Sequence, residues 1–187
     1  MRVAVVTPPA PVVTWEQAAA HLKLDANDPE KTYIIGLVAA ATAHIDGPRG
    51  WLGRAIGVQT LDVWFDDFSC GSFKLPYPEL IGITSINWID PAGTTGAAVP
   101  GQYELRGRML GSAWGQSWPA TRNQFEAVRI RYQAGFQTLP DDLRAAILLM
   151  TADLFENRSS VAAVAGVSAV PTSTTVQTLL APYVVYD

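Results

Sequence analysis

The spacing of apolar residues changes twice along this chain, and that change limits the folds it can adopt. In residues 29–46 and 140–157 apolar side chains recur every three or four positions, the spacing of an α-helix with one buried face. Between about 57 and 136 they alternate with polar residues, as in a strand with one buried face. The pattern predicts an α+β fold: a small helical bundle built from both ends of the chain, with an antiparallel β-rich insertion and extended terminal arms.

Local signals define where the predicted helices begin. Thr14 and Gln17 have the spacing of a capping box, in which each side chain satisfies a backbone N–H of the other residue. Asp28 and Pro29 favour a second start, because the N–H that proline lacks has no partner in a first turn. Pro140 marks a third start. We therefore expect helices at about 15–24, 29–46 and 140–157.

The insertion contains several segments with strand periodicity. The clearest is 126–136, where Val128, Ile130 and Tyr132 are expected to face the core and the intervening Arg and Gln residues to face solvent. The other predicted strands lie in residues 58–68, 80–90 and 101–106.

These assignments divide the chain into five segments. The predicted order is an N-terminal arm at 1–13, a helical core at 14–56 and 137–158, a β-rich insertion at 57–136, and a C-terminal tail at 159–187. Most of both ends lacks a periodic apolar face. Ordering a residue costs about 1–2 kcal/mol, so we expect both ends to be disordered in the free subunit and to become fixed on partners.

The composition favours a subunit of an assembly over a nucleic-acid-binding protein. Hydrophobic residues make up 49% of the chain and charged residues 16%, below the usual share of roughly a quarter. A surface poor in charge suggests area to be covered by other subunits, although a coding bias towards Ala and Gly would have the same effect. The net charge is −4 without a basic stripe, which disfavours binding to phosphate backbones.

Targeting and covalent features are few. Cys70 is the one cysteine, which excludes a disulfide framework and a Cys-based zinc site within the chain. The apolar run at the start is too short for a signal peptide, and no stretch approaches the roughly 18 apolar residues that span a bilayer. We expect synthesis in the host cytoplasm and no membrane partner.

The sequence offers no set of catalytic groups. His21 and His44 have no metal-ligand spacing, and no phosphate-binding or nucleophile motif occurs. Asp66 and Asp67 are adjacent in a β region, so their side chains point to opposite faces and cannot readily share a proton or a metal. We predict a protein that is not an enzyme, with no catalytic, metal-binding or cofactor-binding residues.

Large apolar groups in polar surroundings are the candidate partner contacts. Trp114 and Trp118 lie in a loop rich in Gly and Ser, which suggests exposure. Indoles of this kind also form sugar-binding platforms, so a carbohydrate-binding β module is one alternative. The tail adds its only large apolar residues as expected anchors on a neighbouring subunit or partner: Leu179, Leu180, Tyr183 and Tyr186.

The order of segments resembles the phage head-tail connector proteins, the adaptor subunits of tailed phages, prophages and gene-transfer particles. The resemblance runs from residue 14 to 183, and its segments in order are TWEQAAAHLKLD, AHIDGPRGWLGRAI, VQTLDVWFDDF, SINWIDPAG, YQAGF, LPDDLRAAILLMTADLFENR and LLAPY. The β insertion is long relative to the minimal, all-helical connectors.

This resemblance implies a structural role in the virion, at the junction of head and tail. Members form a ring of identical subunits, usually twelve, beneath the portal protein and above a tail-completion or stopper protein. DNA passes through the ring without specific binding, and the family has no active site to carry over. A tail-completion or tail-terminator protein, which would bind the tail tube instead of the portal, is the main alternative.

Overall fold

The computed structural model describes residues 1–158 and 173–186. The chain forms two compact units, Met1–Ala10 with Gly57–Gln137, and Pro11–Ile56 with Thr138–Asp187. We call them the β unit and the helical unit. Helices and antiparallel sheets together confirm the predicted α+β class.

The helical unit is built around two long helices that pack against each other, α2 and α3. Each contributes one buried apolar stripe, for example Ile34 and Val38 in α2 and Leu143 and Ile147 in α3. The predicted capping box is present, with Thr14 N–H donating to Gln17 Oε1 at 3.0 Å. The described helices are α1 (Trp15–Leu22), α2 (Lys31–Ile45), α3 (Asp141–Glu156) and α4 (Thr174–Leu180).

The β unit contains a five-stranded sheet in the order β1-β2-β8-β4-β5 and a three-stranded sheet in the order β3-β7-β6. All neighbouring strands are antiparallel. The strands are β1 (Arg2–Thr7), β2 (Gln59–Phe65), β3 (Ser72–Lys74), β4 (Leu80–Ile89), β5 (Thr95–Ala97), β6 (Tyr103–Arg106), β7 (Met109–Ser112) and β8 (Val128–Ala134).

Strand β8 lies at the centre of the larger sheet and pairs along its length with β2 and β4. Val128, Ile130 and Tyr132 are fully buried, which confirms the inward face predicted from the alternation. The Tyr132 hydroxyl donates to the Pro76 carbonyl at 2.8 Å, and burial raises the pKa of this phenol. The buried hydroxyl is thus hydrogen-bonded, as a buried polar group must be.

The second face of this sheet is less open than the alternation predicted. Asp62 in β2 is only 3% exposed, although it alternates with the buried residues Leu61 and Val63. Directly opposite it on β8, Arg131 donates from Nε and Nη2 to the two carboxylate oxygens at 2.7 and 2.8 Å. This bidentate ion pair provides hydrogen-bond partners for both side chains and permits the burial of Asp62.

The prediction of a disordered N-terminal arm is wrong for residues 2–7. These residues form β1, which pairs with β2 in antiparallel register. The Arg2 guanidinium lies 3.7 Å from the centre of the Trp64 ring and donates to both carboxylate oxygens of Glu126, at 2.5 and 2.7 Å. The hydrogen bond from Arg2 lowers the pKa of Glu126. Strand pairing and these contacts offset the ordering entropy that argued for disorder.

The prediction for the C-terminal tail is wrong for its last part. Val176 and Leu180 in α4 are fully buried, and α4 packs on α3. The backbone N–H of Val185 donates to the Leu52 carbonyl at 2.9 Å. This segment therefore belongs to the core of the helical unit. Residues 159–172 of the tail, which was expected to be disordered over 159–187, lie outside the described residues.

The β unit is closed by a contact between two glycines at its ends. Gly135 follows β8 with a φ of +119°, and a Cβ placed on it would lie 2.1 Å from the Gly57 carbonyl oxygen. The Gly135 N–H donates to the Glu79 carbonyl oxygen at 2.8 Å, so a second backbone contact also fixes the position of Gly135. Any side chain at position 135 would force these backbones apart.

We predict that Gly135→Ala destabilises the protein by at least about 3 kcal/mol, because it combines backbone strain with a collision against Gly57. The matched control is Gly82→Ala in β4, where a Cβ would meet nothing within 4 Å. That control should change the free energy of unfolding by less than about 0.5 kcal/mol. Urea unfolding measures the free energy of unfolding of both variants. Equal values for Gly135→Ala and Gly82→Ala would show that position 135 does not require glycine.

We predict that Leu180→Ala lowers the free energy of unfolding by about 2–5 kcal/mol, because it leaves a cavity in the core of the helical unit. Leu179→Ala, at a half-buried neighbour, is the control and should cost clearly less. Removal of residues 175–187 should therefore lower the melting temperature. A truncated protein as stable as the full chain would show that α4 contributes nothing to the subunit.

Candidate functional site

The described residues contain no group of three or more His, Cys, Asp or Glu side chains that could hold a metal ion. Asp66 and Asp67, the one paired carboxylate of the β region, have separate partners. Asp66 accepts the Glu126 N–H at 2.9 Å, and Asp67 accepts the Ser69 N–H at 2.8 Å. Both carboxylates thus organise loops. None of the described helices is long and apolar enough to cross a membrane.

The β unit carries a groove on its three-stranded sheet, which we call the Trp114 groove. Its volume is about 470 Å³, and Trp114, which is 97% exposed, stands at one side. Arg106 Nη2 lies 2.6 Å from Glu104 Oε2, so two paired charges form part of the lining. The lining residues are Ser72, Glu104, Arg106, Met109 and Gly111–Gln116.

The structure separates the two tryptophans that the sequence grouped as contact residues. Trp118 stacks on Phe68 with the ring centres 4.6 Å apart and the planes 2° from parallel. Its Nε1–H donates to the Gly71 carbonyl at 2.8 Å. An edge contact with Phe73 at 6.1 Å completes a small aromatic cluster. Trp118 therefore stabilises the β unit, and Trp114 remains the exposed indole of the loop.

The helical unit carries a second groove, which we call the C-terminal groove. It has a volume of about 430 Å³, and its lining includes the exposed rings of Trp51 and Tyr186. The lining residues are His44, Trp51, Gln177, Ala181, Val184 and Tyr186. An apolar groove with exposed aromatic walls is a common form of docking surface.

The four anchors expected in the tail have different environments. Tyr186 is 86% exposed and lines the C-terminal groove, as an anchor would. Leu180 is fully buried in its own unit and cannot contact a partner, because α4 turns it onto the core. Leu179 and Tyr183 are half-buried. The Tyr183 hydroxyl donates to Asp142 at 3.1 Å; partial burial and this hydrogen bond raise the pKa of Tyr183.

Sequence reasoning missed a third surface, the outer face of α2. This face is exposed and apolar, and consists of Ile35, Gly36, Ala39, Ala40 and Ala43. The signal was present, because no Asp, Glu, Lys or Arg occurs between Lys31 and Asp46. A helix that is apolar on every side is normally buried on every side.

We predict that Trp118→Ala destabilises the protein and that Trp114→Ala leaves its stability nearly unchanged. Loss of the stacked ring and its hydrogen bond should cost about 1–3 kcal/mol at position 118. The change at position 114 should stay within about 0.5 kcal/mol, because the indole is exposed. Thermal unfolding monitored by circular dichroism tests both variants. A destabilised Trp114→Ala protein would show that the Trp114 indole packs on the rest of the chain.

Three chains from solved gene transfer agent particles share the fold of this protein. One comes from the virion of a native particle (TM-score 0.77), one from the neck of an empty particle computed with C6 symmetry (0.76), and one from the neck of a native particle computed with C12 symmetry (0.72). Each is 22% identical to this chain, and each comparison covers 100% of this chain and 97% of that chain. No protein-family model and no curated protein matches the chain. At this identity the likeness establishes a shared fold over both units.

Proposed function

We propose that this protein is a structural head-to-tail connector subunit, an adaptor that forms a ring at the neck of a tailed phage or gene-transfer particle. The structural similarity to chains from gene transfer agent necks supports the proposal, since it extends over nearly the full length of both proteins. The ring would bind the portal protein on one side and a tail-completion or stopper protein on the other. It would let DNA pass from head to tail.

The surfaces of the subunit suit this role. A ring of identical subunits needs two different patches on each subunit, joined by a rotation that closes. The outer face of α2 would provide exposed apolar area for such contacts, and the Trp114 groove and the C-terminal groove would add exposed aromatic rings among polar residues. The net charge of −4 gives passing DNA little to bind.

We predict that the chain is present in purified particles and lies at the head-tail junction. Immunogold labelling of particles from the cells that encode the chain tests the location, with particles from a gene-deleted strain as control. Label at the neck supports the connector. Label along the tail or at its far end, or absence from particles, would overturn the connector. Binding to purified portal protein separates the connector from a tail-terminator protein, which would bind the tail tube instead.

The purified subunit itself should be a monomer or a weak oligomer that completes its ring on the portal. Sedimentation velocity with and without portal protein measures this. A stable dimer that forms without portal would count against the ring, because two-fold closure uses a single self-complementary patch.

A further inference from the structure

Helix α2 has two apolar faces, and the subunit buries only one of them. The inner face contributes Ile34, Val38, Ala41 and Ile45 to the core of the helical unit. The outer face leaves Ile35 44% exposed, next to exposed glycine and alanine residues. Exposed positions of a helix in a free subunit normally carry charged or polar side chains. The outer face therefore has the composition of a surface that another chain covers.

Gly36 points to close approach of a second backbone. A Cβ added at this position would meet nothing within 4 Å, so packing within the subunit does not require glycine. Glycine inside a helix costs roughly 0.5–1 kcal/mol relative to alanine. Together with Ala39, Ala40 and Ala43 it forms a smooth surface, and small side chains at a helix contact reduce the distance between helix axes.

This face leads directly into the C-terminal groove. His44 lies four residues after Ala40, on the same side of α2, and lines the groove. Trp51 and Tyr186 then extend the surface with two exposed aromatic rings. The helical unit thus presents one largely apolar area, with small residues at one end and two aromatic rings beside His44 and Gln177 at the other.

We propose that the outer face of α2 binds a second copy of this chain, the neighbouring subunit of the ring. The inference rests on the proposed function. Interfaces between identical subunits are more apolar than those between transient partners, and this face lacks charged side chains altogether. A chain of the same fold comes from a neck computed with C12 symmetry, and a cyclic ring requires contacts between identical copies. Close helix packing against that neighbour explains the glycine at position 36.

Photo-cross-linking in assembled particles tests this contact directly. A photoreactive benzophenone amino acid replaces Ile35 in the full chain, or replaces Ala20, an exposed residue of α1, as control. Irradiation should join two copies of the 20.1 kDa chain from position 35, and not from position 20. Mass spectrometry of the product identifies the partner peptide. Cross-links from position 35 to a different virion protein would overturn the inference and leave the connector function intact.

The substitution Ala40→Glu provides the second arm, with Ala20→Glu as the matched control. Both place the same charge on an exposed helical alanine, and glutamate is a good helix former, so both subunits should fold with wild-type melting temperatures. Incorporation of Ala40→Glu into particles should fall at least about tenfold, since a charge buried at a helix contact costs more than 1.4 kcal/mol. Wild-type incorporation of both variants would overturn the inference. Absence of the wild-type chain from particles would overturn the connector function, and the inference with it.

Discussion

The β unit depends on the contact between Gly57, where the chain re-enters the unit after the first helices, and Gly135, close to where it leaves again. The Cβ of any other residue at position 135 would lie 2.1 Å from the Gly57 carbonyl oxygen. This contact fixes the end of the β2–β8 pair, whose register begins with Gln59 opposite Ala134. Once β2 and β8 are paired in that register, β1 adds to β2 and β4 adds to β8. A one-residue slip would turn Tyr132 and its neighbours away from the core.

The sequence allowed prediction of the elements whose buried face is long enough to show its period. Helices α1–α3 and strands β2, β4, β6 and β8 were expected close to their observed positions. Strands β1, β3, β5 and β7 and helix α4 were not, because each is short. Strand β1 and helix α4 are in addition stabilised by partners distant in the sequence. Arg2 is 124 residues from Glu126 in the sequence, so no local pattern predicts the ion pair between them. The burial of Asp62 could not be predicted for the same reason, since it depends on Arg131 on another strand.

The candidate contact residues show where local sequence stops being informative. Trp114 and Trp118 have similar neighbours in the sequence, yet Trp114 is exposed. Trp118 stacks on Phe68 and donates a hydrogen bond to the carbonyl of Gly71, which is 47 residues away in the sequence. Leu179 and Leu180 differ only in the side of α4 on which they lie. The outer face of α2 could have been predicted, because this helix carries no Asp, Glu, Lys or Arg after its first residue, Lys31. A single buried stripe also accounts for a helix, so the periodicity alone did not indicate the second apolar side.

The few charges of the chain explain what kind of association its surfaces can support. In the β unit, Arg2 with Glu126, Arg131 with Asp62, and Arg106 with Glu104 form ion pairs within the subunit. Charges that are paired in this way contribute little to the attraction of a partner. The outer face of α2 has no charge at all. In the proposed ring, attraction across this face would come from removal of apolar area from water, which salt does not screen. Such contacts would persist while DNA and its dense counterion atmosphere pass through the proposed bore.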